Sequence, residues 1–180
     1  MKKDAPMSRL EQFAEDIHQD VLMKASDDAE PSLREEAFTE IVLEMLSEHN
    51  ETSGWNLCYV DAPSSGRTPA ARLNALALSS DGLSMDLFIT LYKGKGKPVE
   101  IGLPEIRRHF ELLHGFLKRA LDGFFDRMEP SSPGFLAAKE IHDARANLIT
   151  ANLFFLTDGV ARSLDVRGVG HEERRIETRY

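Results

Sequence analysis

The sequence predicts an α/β domain: a mixed central sheet flanked by helices, in the order α-α-β-β-β-α-α-β. Three observations predict it. Four segments, two N-terminal and two later, read as helices from their apolar spacing or capping residues. Between them, Ala71 to Leu91 reads as two strands around an Asp-Gly turn. A continuous apolar run, LITANLFFLT, returns near the end of the chain, which suits a strand buried on both faces. Helices before and after the strands, with one late returning strand, suggest a sheet covered by helices.

The elements follow in order. Ser8 and Glu11 have capping-box spacing and open a first helix carrying Leu10, Phe13, Ile17 and Val21. Ser32 and Glu35 are a second candidate box. Phe38, Ile41, Val42, Met45 and Leu46 then make an apolar stripe, and Glu36, Glu40 and Glu44 an acidic solvated face. WNLCYV is short and β-like, and DAPSSGRTPA is a loop in which Ser64 and Ser65 have no catalytic context. After the hairpin, KGKGKPVEIGLP is a second loop. Pro104 then starts a long helix whose buried face runs Ile106, Phe110, Leu113, Leu117, Leu121, Phe124, Met128. Leu112, Phe116 and Phe125 widen that apolar surface, either for burial or as an exposed groove for a partner. Ser132 and Pro133 open one more helix, to about Arg145. The expected domain is 1–160, with 161–180 a polar extension that has no core of its own.

Composition narrows the function. The 180 residues suit one domain, and 42 % apolar content suffices for a core. A net charge of −8 disfavours non-specific nucleic-acid binding but leaves room for a local basic patch. One cysteine, Cys58, forms no internal disulfide and fits a reducing cytoplasm. No stretch approaches the roughly 18 uninterrupted apolar residues of a membrane span, so no membrane partner is expected. MKKDAPMSRLEQF lacks the apolar run of a signal peptide. His18, His49, His109, His114, His142 and His171 form no zinc-type pair, since His109 and His114 lie on different helix faces; each reads as a surface or cap histidine. Cys58 lacks a protease signature, and GKGKP is not a phosphate-binding loop.

The hairpin can be read residue by residue. If Asp81 and Gly82 form a two-residue type I′ turn, Ala77 faces Asp86 and Asn74 faces Ile89. Alternation then places Asn74, Leu76, Leu87, Ile89, Leu91 and Lys93 on one face, and Asp86 on the other.

The order contains α-β-β-β-α-β, the shared core of the PD-(D/E)xK, restriction-endonuclease-like fold. Across about Phe13 to Val160 the chain also resembles the N-terminal region of the AIPR family, bacterial abortive-infection phage-resistance proteins. The resemblance rests on FAEDIHQDVL, EEAFTEIVLEML, the hairpin, HFELLHGFLKRALDGFFDRMEPSSPGFLAAKEI and LFFLTDG. It implies phage defence and a nuclease-like fold. Family members are usually longer, and the family enters another strand where this chain reads RRIETRY. The resemblance therefore implies an N-terminal domain or fragment of a longer protein.

A nuclease site of that fold sets an acid on one strand against acid-x-Lys on the next. The carboxylates hold Mg²⁺, which lowers the pKa of the attacking water. Here the matching positions are Asn74 and Leu91-x-Lys93: the lysine is kept and the acids are not. The expected function is a degenerate nuclease-like scaffold or regulatory module with no metal site and no cofactor. An active enzyme would need Mg²⁺ and an atypical acid set drawn from Glu35 or Asp86. A third reading is a non-cleaving nucleic-acid binder using Lys95, Lys97, Arg107 and Arg108. Expected partners are the C-terminal remainder of the parent protein, a defence-system protein, nucleic acid or a second copy of the chain.

Overall fold

A computed structural model describes residues 8–26, 29–64, 66, 70–161 and 176–179. Helices α1 (Arg9–Ala25) and α2 (Pro31–Glu48) precede strands β1 (Trp55–Ala62), β2 (Ala71–Leu78) and β3 (Ser84–Leu91). After the short β4 (Glu100–Ile101) come α3 (Leu103–Leu121), a 3₁₀ turn (Phe124–Arg127), α4 (Pro133–Ala144) and β5 (Thr150–Thr157). Two short strands, β6 (Val160–Ala161) and β7 (Glu177–Arg179), follow. The main sheet runs β1-β2-β3-β5-β7, and β4 pairs with β6. β1, β2 and β3 are antiparallel; β5 lies parallel to β3, and β7 parallel to β5. The expected mixed sheet between helices is therefore present, with three short strands added.

The sheet separates two cores. On one face Leu73, Leu76, Leu87, Ile89, Ala151 and Leu153 pack against α3 and α4. On the other, Ala75, Ala77, Phe88 and Leu156 pack against Ile17, Val21, Phe38 and Leu43 of α1 and α2. Ile176 is buried in the α3-side core, and Glu177–Arg179 then extend the sheet beside β5. No helix among the described residues is long and apolar enough to cross a membrane.

Local chemistry explains most boundaries. The Ser8–Glu11 box caps α1 in both directions, at 2.7 and 3.2 Å. The second box does not form: α2 begins two residues earlier than that box implies, at Pro31, with Glu30 as N-cap, and Glu35 points elsewhere. α3 stops at Leu121, short of the expected Met128. Gly123 has φ 80°, a left-handed conformation that terminates helices and that a residue with a side chain adopts at a cost. Phe124 and Met128 still pack on the α3-side core, but from the 3₁₀ turn and its exit.

The hairpin register is the expected one, with Leu76 opposite Leu87 and Ala77 opposite Asp86. The turn is not the expected one. Only Gly82 in the loop has positive φ, 69°, so a type I′ turn is excluded. Ser79 N–H donates to Ser84 C=O at 2.9 Å, leaving a loop from Ser80 to Leu83. This wider loop is still centred between Asp81 and Gly82, so the pairing is unchanged.

Candidate functional site

The β2–β3 ladder ends at Ala75–Phe88. Beside it, the β1–β2 register shifts, from Leu57 opposite Ala75 to Val60 opposite Leu73. Strict alternation fails there. Leu73 and Leu76 enter the α3-side core, while Ala75 belongs to the α2-side core. Asn74 therefore turns toward α2, not onto the Leu91–Lys93 face that regular alternation predicts. This irregularity is a β-bulge, which re-aims side chains locally.

On the α2 side Asn74 is 3 % exposed and fully engaged. Its Nδ2 donates to Glu35 Oε1 at 2.9 Å, and its Oδ1 accepts Thr90 N–H at 2.9 Å. The side chain thus takes the Thr90 N–H, which lies beyond the end of the β2–β3 ladder. Arg72, two residues earlier on β2, donates through Nη2 to the same Glu35 oxygen in a short ion pair. Both side chains of this pair are largely buried, at 16 % and 12 % exposure for Arg72 and Glu35. The guanidinium also lies over the Tyr59 ring, 5.6 Å from its centroid. Arg72 Nε is buried without a hydrogen-bond acceptor. Beneath them, Thr39 Oγ1 donates to Glu35 C=O at 2.7 Å. One hydroxyl has one proton, so the 2.8 Å Thr39–Thr90 contact is donated by Thr90.

Lys93 and Leu91 belong to the opposite face. Leu91 packs on the α3-side core, and Lys93 Nζ pairs with Glu105 Oε1 of α3 at 2.8 Å. Asp158, in the turn after β5, accepts the backbone N–H groups of Lys93 and Gly94 at 2.7 and 2.8 Å. The expected single face of Asn74 with Leu91-x-Lys93 is therefore divided between the two sides of the sheet.

Asp86 lies on the Asn74 side, not on the opposite one. Thr90 lies four residue steps along β3 from it, roughly 13 Å at about 3.3 Å per residue. Asp86 accepts Thr52 Oγ1 at 3.0 Å and Asn152 Nδ2 at 2.8 Å in a polar pocket of its own. Glu35 and Asp86 are thus not brought together. Among the described residues, no three His, Cys, Asp or Glu side chains gather as metal ligands. Lys95, Lys97, Arg107 and Arg108 are all exposed.

His109, like Arg72, is a group that sequence reasoning missed. It is buried, not a surface or cap histidine. Its Nδ1 lies 2.7 Å from Glu105 C=O, and a carbonyl only accepts, so Nδ1 carries the proton and Nε2 the lone pair. Burial holds its pKa below the usual histidine value; the Arg72 charge pushes the same way, and Glu105 and Glu35 oppose it. A signal was available, since His109 follows Ile106 by three residues and precedes Leu113 by four on the buried stripe. Of the other histidines, His18 bonds the Tyr92 hydroxyl at 2.7 Å and His49 the Met45 carbonyl at 2.8 Å. His171 and Ser65 lie outside the described residues. Cys58 is buried, and its thiol pKa is pushed up to about 12 by desolvation, with Glu140 adding to it.

The α3 apolar surface is covered: Phe116 is fully buried and Phe125 half-buried. The open apolar surface lies instead between α1 and α2. Leu10, Phe13, Val42 and Met45 line a groove of about 430 Å³ that reaches the Thr157–Val160 turn. Leu10 and Phe13 remain 53 % and 48 % exposed, so only the second half of the α1 stripe enters the core.

A family model described as abortive infection phage resistance protein N-terminal domain matches residues 38–179. No curated protein and no solved structure matches the chain.

Proposed function

Since the chain belongs to the abortive infection phage resistance N-terminal domain family, we propose that it is a nuclease-like module of a phage-defence protein that has lost its catalytic acids and acts as a scaffold or regulatory unit. The observation that carries this reading is the state of the acid positions. Asn74 and Leu91-x-Lys93 face opposite sides of the sheet, and Glu35 is held by Arg72 and Asn74. Mg²⁺ requires several oxygen ligands in near-octahedral order. Here one carboxylate is present, it is neutralised by a guanidinium, and the amide oxygen of Asn74 is committed to Thr90 N–H. These residues do not fit the metal that a nuclease of the resembled kind would require. The partner is the remainder of a longer parent protein, another defence protein or a second copy.

A cleavage assay tests the proposal. With Mg²⁺ or Mn²⁺, single- and double-stranded DNA and RNA are expected to stay intact above the background of a Glu35→Gln control. Cleavage that disappears in Asn74→Ala or Lys93→Ala would overturn it, in favour of an enzyme with an atypical acid set including Glu35 or Asp86.

The exposure of Lys95, Lys97, Arg107 and Arg108 supports a second reading, a nucleic-acid binder that does not cut. Such binding must weaken steeply with salt through counterion release. Binding that is flat between low and physiological salt, or unchanged in Lys95→Glu/Arg107→Glu, rejects it.

A further inference from the structure

We propose that the Arg72 guanidinium is a built-in cation that takes the place of a divalent ion beside Glu35, so that this end of the sheet is closed to metal by charge and not only by missing acids. The inference rests on the nuclease-like reading above and gives it a mechanism. Two observations support it. The Arg72 and Asn74 donors converge on one oxygen, Glu35 Oε1, where a metal would bind. The pair is largely buried, so the carboxylate cannot be left uncompensated: an unpaired buried charge is strongly destabilising.

Asn74 fits the same logic. Its amide is the uncharged counterpart of an aspartate, and it donates to Glu35 where an aspartate would repel it. Arg72 and Asn74 are two residues apart on β2, so they share a face and both reach Glu35 on α2. The loss of an acid and the gain of a cation therefore concern one site.

The experiment compares the full chain with Arg72→Met and with Arg72→Met/Glu35→Gln, following melting temperature and Mn²⁺ binding by electron paramagnetic resonance. The wild-type melting temperature is expected not to respond to millimolar Mn²⁺. Arg72→Met is expected to melt lower in metal-free buffer and to recover at least half of that loss in Mn²⁺. The double variant is expected to show no recovery. A folded Arg72→Met that ignores Mn²⁺ overturns the proposal but leaves the scaffold reading intact. Wild-type cleavage overturns the scaffold reading instead. Should Arg72→Met fail to fold, the wild type decides by nuclear magnetic resonance. Mn²⁺ line broadening confined to Glu35, Asn74 and their neighbours overturns the proposal, and its absence upholds it.

Discussion

Asn74 makes two hydrogen bonds that an aspartate could not make together, because a carboxylate cannot donate to Glu35. Asn74→Leu strands the Thr90 N–H and removes a donor from a buried carboxylate. It is expected to cost about 1–3 kcal/mol, read as a shift in urea midpoint at unchanged slope. His109 gives a pH signature. Its folded pKa lies below the unfolded value of about 6.5, so the unfolded state binds more protons as pH falls. Its contribution is complete above that value and declines as pH drops through it. Urea midpoints measured between pH 7.5 and 5 should fall more for the wild type than for His109→Gln. Cys58, with its thiol pKa near 12, should react with a thiol reagent only after unfolding, titrating as one group in denaturant and none in buffer. Asn74 and Glu35 were singled out in the sequence. Their arrangement was not. Period-two alternation assumes a regular strand, and the register shift beside Asn74 lies in the pairing of β1 with β2, which no local pattern encodes. Arg72 drew no attention for the same reason.

Helix boundaries were legible where a side chain makes the cap, as at Ser8, and less so where backbone geometry decides, as at Gly123. Glu35 shows how one sequence signal can serve two structures. Ser32 and Glu35 have the spacing of a capping box, yet a buried arginine is the stronger attraction for a carboxylate than an exposed backbone amide. α1 divides into two halves of different worth. Val21 is fully buried, and Val21→Ala is expected to cost about 1–3 kcal/mol in chemical denaturation. Leu10→Ser and Phe13→Ser, on the open lip of the α1–α2 groove, should change stability by less than about 1 kcal/mol. A cost at Phe13 as large as at Val21 would show that the groove is closed in solution.

At the scale of the molecule, the sheet has a core on each face, and the α-α-β-β-β-α-α-β order was enough to predict that layering. The last strand was harder to see. By composition residues 176–179 read as polar tail, and only the family resemblance pointed to a strand there; Ile176 enters the core and the next three residues pair with β5. Ile176→Ala is expected to cost about 2–4 kcal/mol, which a thermal melt or urea titration would measure. This late strand also sets a clock on synthesis. β5 ends at Thr157 and β7 begins at Glu177, so roughly 20 residues must be added between them. At about 5–20 residues per second, the ribosome leaves one side of β5 without its strand for roughly one to four seconds. During that interval the nascent chain presents an open parallel edge, the feature through which sheets recruit neighbouring chains. The residues of β7 thus also close the last of the sheet's pairings to be completed during synthesis.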